Sequence, residues 1–214
     1  MGLAISVGYL ADILEHDPEG AEWFEEGMTA ANKLLNAAGL PSHTEPRVLP
    51  PLVSRASLCS FPYSFIHYLR RAYAYRSEDP DWIATPVKDG IDPGSDPAIE
   101  EALESFSSHL LCHSDAEGYY LPVDFHDVLF ADDEADDLPG GMLGSSYRLL
   151  EELVLVAPAL GIDLQDGLLS DVEAERINQV THSDEGLHRE YASWLALYDS
   201  AQLSIQHGSA IVFS

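Results

Sequence analysis

The residue types best able to do chemistry are concentrated in residues 109–127. Within this segment His113, Asp115, Glu117 and His126 combine imidazole and carboxylate groups, which zinc, manganese and iron accept as ligands. One interpretation is therefore a divalent-metal site in a metal-dependent hydrolase. The spacing is not diagnostic, because the glutamate that follows the first histidine in zinc-protease helices is absent.

The same segment also has a purely structural interpretation. A histidine at the C-terminal end of a helix interacts favourably with the helix dipole, and Gly118 suits a backbone position with positive φ before a strand. Neither role requires a glutamate or a pair of tyrosines beside them. We therefore predict a small polar binding site here, made of His113, Asp115, Glu117, Tyr119 and Tyr120.

An acidic stretch supplies a second candidate binding surface. Residues 131–141 are predicted to form a flexible loop, because their carboxylates have no basic counter-charge and run into a Pro-Gly-Gly sequence. The residues predicted to bind a partner in this loop are Asp132, Asp133, Glu134, Asp136 and Asp137.

The charge balance narrows the class of partner. The chain has 37 Asp and Glu residues against 10 Lys and Arg, a formal net charge of −27. Such a field repels polyanions, which argues against binding to nucleic acid or to an anionic membrane surface. Two explanations of the acidity remain: it keeps the surface solvated, or it is complementary to a basic protein.

Composition also indicates a compartment. Two cysteines are too few for a disulfide framework, and no apolar run is long enough for a membrane helix. The first residues lack the basic region of a secretory signal. We therefore expect a cytoplasmic protein with no membrane association and no cofactor, except for the divalent metal that the hydrolase interpretation requires.

The elements that must position these residues are mostly helical. Apolar spacing and capping residues predict a single domain over residues 1–214, mainly α with a minor β element (α+β). The six predicted helices cover about residues 18–38, 63–76, 97–113, 146–157, 171–180 and 184–201. Strands are predicted at residues 119–125, at an edge or a kink because of Pro122, and at residues 210–213. The helix at 63–76 carries Arg70 and Arg71, which are predicted to pair with carboxylates inside the domain.

Two short segments carry a resemblance to known proteins. They are residues 113–122, HSDAEGYYLP, and residues 143–146, LGSS, which is followed by a leucine-rich helix. In these segments the chain resembles a family of uncharacterised bacterial proteins, with related motifs in immunity proteins of polymorphic toxin systems. The resemblance implies a bacterial cytoplasmic protein with a binding role, and it supplies no catalytic residue.

These observations favour one function and leave a second one open. The first is an acidic cytoplasmic interaction protein, inhibitory or immunity-like, that binds a basic protein partner. The alternative is the divalent-metal-dependent hydrolase with the cluster His113, Asp115, Glu117 and His126. The sequence favours a protein that is not an enzyme, and it does not determine the partner or the oligomeric state.

Overall fold

In a computed structural model, which describes residues 2–88, 90–131 and 138–214, the chain forms a single α+β domain. This confirms the predicted fold class. The strands of the described residues are β1 (Leu3–Val7), β2 (Ser60–Phe61), β3 (Gly118–Leu121), β4 (Leu129–Phe130), β5 (Met142–Ser145), β6 (Leu164–Gln165), β7 (Leu168–Leu169) and β8 (Ile211–Phe213). The α-helices are α1 (Tyr9–Ile13), α2 (Pro18–Ala37), α3 (Ser64–Glu78), α4 (Pro97–Leu103), α5 (His109–Cys112), α6 (Ser146–Val156), α7 (Asp171–Thr181) and α8 (His188–His207).

A mixed sheet of six strands lies at the centre, in the order β2-β1-β8-β3-β5-β4. Strands β3 and β5 are parallel, and the other neighbours are antiparallel. The remaining two strands, β6 and β7, form a separate hairpin. The first and last strands are neighbours in the sheet, with Ile5 opposite Phe213. The predicted strand at 210–213 is confirmed, whereas β1 was not predicted.

The two faces of the sheet pack against different helices. Because side chains alternate along a strand, Tyr119 and Leu121 point to the face covered by α2, and Tyr120 points to the opposite face. That opposite face is covered by α3, α6, α7 and α8, whose core includes the fully buried Trp194. Among the described helices, only α2 and the short α1 pack on this side of the sheet.

Helix α2 forms as its sequence predicts. The carboxylate of Asp17 accepts a hydrogen bond from the backbone N–H of Gly20 at 3.0 Å, and Pro18 occupies the first turn. Phe24 and Leu35 are buried against the sheet. At Gly27 a Cβ would collide with the ring of Tyr119, so glycine permits the close approach of helix and strand.

The predicted helix over residues 97–113 is wrong in its middle, because it is divided into α4 and α5. Helix α4 ends at Leu103, and Phe106 adopts a left-handed backbone with φ of 48°. The hydroxyl of Ser105 donates to the carbonyl of Ala102 at 3.1 Å, and that of Ser108 caps the backbone N–H of Leu111 at 3.1 Å. Serine hydroxyls thus satisfy backbone groups that a continuous helix would have paired.

The predicted strand at 119–125 is confirmed in part. It ends at Leu121, because Pro122 has no N–H to donate to a neighbour. Pro122 predicted either a sheet edge or a kink, and the edge is wrong, because the strand lies between β8 and β5. The two segments of the family resemblance lie in these adjacent strands, with Tyr120 opposite Gly144. Within the described ranges no helix is long and apolar enough to cross a membrane.

Candidate functional site

The ring of His113 lies in the core and not at a surface. It stacks on Tyr120 with centroids 4.2 Å apart and contacts Phe213 at 4.4 Å. Its Nδ1 donates to the carbonyl oxygen of Ser114 at 2.9 Å. Burial lowers the pKa of His113 to about 3, so the ring is neutral at physiological pH. The structural interpretation of this histidine therefore agrees with its environment.

Asp115 is held by two side chains of α3. The buried guanidinium of Arg70 donates to Asp115 and to the carbonyl oxygens of Leu110 (2.9 Å) and His113 (2.5 Å). The Nε2 of His67 lies 3.0 Å from the second carboxylate oxygen. Partial burial acts to raise the pKa of Asp115, but the hydrogen bonds from His67 and Arg70 lower it to about 2. This carboxylate is already neutralised within the domain.

The predicted internal pairing of the arginines on α3 is thus confirmed. Arg71 also pairs inside the domain, through its Nε and the Asp96 carboxylate at 2.6 Å. Asp96 is the N-cap of α4, so this ion pair joins two helices.

Gly118 has the positive φ that its position predicts, 128°, and a Cβ there would lie 3.0 Å from the His113 ring. Tyr119 and Tyr120 are fully buried, and the Tyr120 hydroxyl donates to the carbonyl of His109 at 3.0 Å. Among the five residues predicted to bind at 113–120, only the Glu117 side chain is exposed with no partner in the described chain.

The four residues that the hydrolase interpretation predicts as metal ligands are not brought together in the described chain. His113 is in the core and Asp115 is paired with cations, while Glu117 and His126 are exposed on separate turns. Within the described residues, the His126 ring is paired with the adjacent Asp127, with Nδ1 3.0 Å from the carboxylate oxygen. In the part of the chain that the structure describes, no group of three or more His, Cys, Asp and Glu residues is arranged to hold a metal ion.

A buried carboxylate on α6 orders the start of the same segment. Glu152 accepts hydrogen bonds from the backbone N–H groups of His109 (2.9 Å) and Leu110 (2.6 Å), the first turn of α5. Burial raises its pKa to about 7. Sequence reasoning missed this contact because Glu152 is far from His109 and Leu110 in the chain.

The acidic residues Asp132, Asp133, Glu134, Asp136 and Asp137 lie outside the described residues. Their described neighbours are Ala131 and Leu138, which pack in the same hydrophobic cluster as α2.

The outer face of α2 and the turn before it are strongly acidic. Residues 12–26 contain no Lys or Arg and carry seven exposed carboxylates, at Asp12, Glu15, Asp17, Glu19, Glu22, Glu25 and Glu26. Glu19, Glu22 and Glu26 follow each other at helical spacing and form one row, which we call the acidic stripe. Trp23, on the same face, is 47% exposed. Sequence reasoning missed this surface, although the run of acidic residues without a basic one was a signal for it.

Arginines neutralise carboxylates elsewhere but not on the acidic stripe. Glu25, beside the stripe, pairs with Arg47. Within the described residues, no Lys or Arg forms an ion pair with Glu19, Glu22 or Glu26. The other arginine pairs among the described residues are Arg55 with Asp171 and Asp199, Arg70 with Asp115, Arg71 with Asp96, Arg148 with Asp124 and Glu151, and Arg176 with Glu173.

Comparisons with known proteins agree with an acidic protein of this kind. Neither the curated proteins nor the solved structures contain a match to the chain. A family model does match, and it covers residues 1–213. On the strength of that match, the chain belongs to the family described as "Putative DNA-mimic protein".

Proposed function

We propose that this protein binds a DNA-binding protein in place of DNA, and that the acidic stripe on α2 is the centre of the contact. The observation that carries the proposal is the row of three exposed carboxylates without an arginine or lysine partner in the described chain, in a member of this family. The basic partner expected from net charge is then a protein whose cationic surface normally holds phosphates.

The spacing of the stripe suits a surface that recognises phosphates. Glu19 and Glu26 are seven residues apart, which corresponds to about 10 Å along a helix, with Glu22 between them. One DNA strand carries a charge about every 3.4 Å along the axis. The stripe therefore supplies charges at roughly two-thirds of the density of a strand. Carboxylates accept the same hydrogen bonds from Arg and Lys that phosphates do.

Rigid presentation of the stripe favours tight binding. The opposite face of α2 is anchored by Phe24, whose ring lies 5.7 Å from that of Tyr119, and the helix start is capped by Asp17. The carboxylates therefore stand on an ordered helix, and binding requires little additional backbone ordering. A partner occupied in this way cannot bind DNA, which makes the protein an inhibitor. An immunity role is one form of such inhibition, in which the partner is a nucleic-acid-cleaving toxin.

Displacement from DNA tests the proposal. DNA-cellulose is loaded with the DNA-binding proteins of the organism that encodes the chain, and the purified chain is added at moderate salt. We expect the wild-type protein to release specific proteins from the resin, whereas polyglutamate at equal carboxylate concentration should not. The variant Glu19→Gln, Glu22→Gln, Glu26→Gln should release at least tenfold less and show a weaker dependence on salt.

A matched control removes the same number of charges elsewhere. Asp163→Asn, Asp166→Asn, Glu185→Gln changes three exposed carboxylates near the other hydrophobic cluster, and this variant should release the same proteins as the wild type. If the chain releases no protein selectively, the proposed function fails. If both triple variants release equally less protein than the wild type, the net charge of the chain and not the acidic stripe is responsible for the release.

A further inference from the structure

Two exposed phenylalanines contact each other at the edge of the sheet. Phe106 is 64% exposed and Phe130 is 44% exposed, and their rings meet edge to face with centroids 6.0 Å apart. Single exposed apolar residues are ordinary on a protein surface, but a contiguous aromatic patch is often functional. We call these two residues the aromatic pair.

Phe106 is exposed in an unfavourable backbone conformation. Its φ of 48° is left-handed, which is strained for a bulky residue. The apolar spacing with Ile99 and Leu103 predicts a continuous helix that would bury the ring, and burial of a phenylalanine is favourable. Strained residues of this kind cluster at binding sites, where function maintains them.

The aromatic pair lies at an edge of the sheet. Phe130 lies on β4, the edge strand, which also contacts α2. Its neighbour Leu129 is opposite Leu143 and packs on the α2 face, so Phe130 points to the other face, where Phe106 lies. The pair is therefore a surface separate from the acidic stripe.

Carboxylates surround the aromatic pair as well. Glu104 is exposed two residues before Phe106. Ser107 lines a cavity of about 170 Å³ together with Arg148 and Glu151. Arg148 lies between Glu151 at 2.8 Å and Asp124 at 2.6 Å, so its charge is outnumbered. Exposed carboxylates thus lie close in the chain to both rings, Glu104 before Phe106 and Asp127 before Phe130, and they are complementary to a basic partner.

Exposed aromatic rings beside anionic groups resemble the bases and phosphates of single-stranded nucleic acid. In a duplex the base faces are stacked inside, and a protein meets only phosphates and groove edges. Proteins that bind single strands combine a cationic groove with aromatic side chains on which bases stack. We infer that the partner is a single-strand-binding protein and that Phe106 and Phe130 occupy its base-stacking site. This inference rests on the proposed function and names the class of partner.

The test separates single-stranded from duplex DNA. Proteins of the encoding organism are loaded in parallel on resins that carry one or the other, and the wild-type chain is added to both. We expect release from the single-stranded resin. The released protein is purified, and the chain is titrated against its complex with labelled oligo(dT). The variant Phe106→Asn, Phe130→Ser should need at least tenfold more protein to displace the oligonucleotide, since each stacking contact is worth about 1–3 kcal/mol.

The substitutions are chosen so that folding is retained. Asparagine tolerates the left-handed conformation at 106, so the variant should unfold at the same urea concentration as the wild type or a higher one. The control Leu168→Ser, Val172→Ser removes two exposed apolar residues, 62% and 82% exposed, and should displace oligo(dT) like the wild type.

Each other outcome has a definite meaning. Release from the duplex resin alone, or an aromatic-pair variant as effective as the wild type, overturns the inference and leaves the proposed function standing. Release from neither resin overturns both.

Discussion

The turn at residues 113–120 and the outer face of α2 carry similar chemical groups in opposite environments. In the turn, Asp115 is held by Arg70 and His67, and the His113 ring is stacked in the core. On α2, the described chain provides no arginine or lysine partner for Glu22 or its neighbours on the acidic stripe. The turn is the richer in catalytic residue types, yet the helix is the surface with charge available for a partner.

The difference shows that residue type alone is a poor guide to a binding site. A carboxylate that already accepts charge-assisted hydrogen bonds inside the domain would have to break them before it could contact a ligand. An exposed carboxylate without a cationic partner gives up only its bound water when it contacts a ligand. Three experiments test this comparison, and they follow in order of expected effect.

The largest effect is expected from the ion pair of the turn. Arg70→Met should lower the free energy of unfolding by about 3–5 kcal/mol, because Asp115 and two backbone carbonyls lose a buried cationic donor. Arg47→Met, which removes the exposed partner of Glu25, should cost less than about 1 kcal/mol. Urea denaturation at neutral pH measures both. Equal losses would show that the two regions do not differ as described.

An intermediate effect is expected from the pH dependence of His113. Its pKa is lowered to about 3 by burial, so below the unfolded value near 6.5 the unfolded chain binds a proton that the folded one does not. Protonation of His113 in the unfolded chain therefore lowers the free energy of unfolding progressively as the pH falls from about 6.5 towards 3. The variant His113→Phe has no imidazole to protonate. Its free energy of unfolding relative to that of the wild type should therefore rise by about 2 kcal/mol when the pH is lowered from 7 to 5.

The other titrating groups are common to both proteins, so their contributions cancel in that difference. A difference that stays constant between pH 7 and pH 5 would mean that the ring is protonated in the folded protein. His113 would then belong with the accessible groups and not with the core.

The smallest effect is expected from Glu117, the exposed member of the turn. Glu117→Gln should change the free energy of unfolding by less than about 0.5 kcal/mol, because the side chain has no partner in the described chain. Release of proteins from DNA-cellulose should equal that of the wild type. A large loss of release with unchanged stability would place the turn in the interface and reverse the comparison.

Local sequence signals predicted most helices correctly. Asp17, Ser145 and Ser170 cap α2, α6 and α7, and each cap was readable as a polar residue before an apolar periodic run. The exception is instructive, because Phe106 continues the apolar stripe of α4 but points to solvent. Apolar periodicity indicates which residues could be buried together on one face of a helix. It does not show whether hydrogen bonds from nearby serines end the helix before those residues.

Candidate sites were less predictable for a related reason. The edge-to-face contact of His113 with Phe213 joins residues that are far apart in the chain, and the pairing of Asp115 depends on α3. Neither contact has a local signal. The acidic stripe did have one, since residues 12–26 contain no basic residue, but net charge alone did not distinguish it from the other acidic segments.

Composition and local pattern by themselves determined the acidity and the positions of most helices, because net charge is a sum over residues and helix capping depends on residues close in sequence. The tertiary structure alone decided which carboxylates are neutralised and which face the solvent. Ten basic residues cannot neutralise 37 acidic ones, so the fold assigns the arginines to particular partners. It places Arg70 beside Asp115 and leaves Glu19, Glu22 and Glu26 exposed, because only packing brings distant charges within reach of each other.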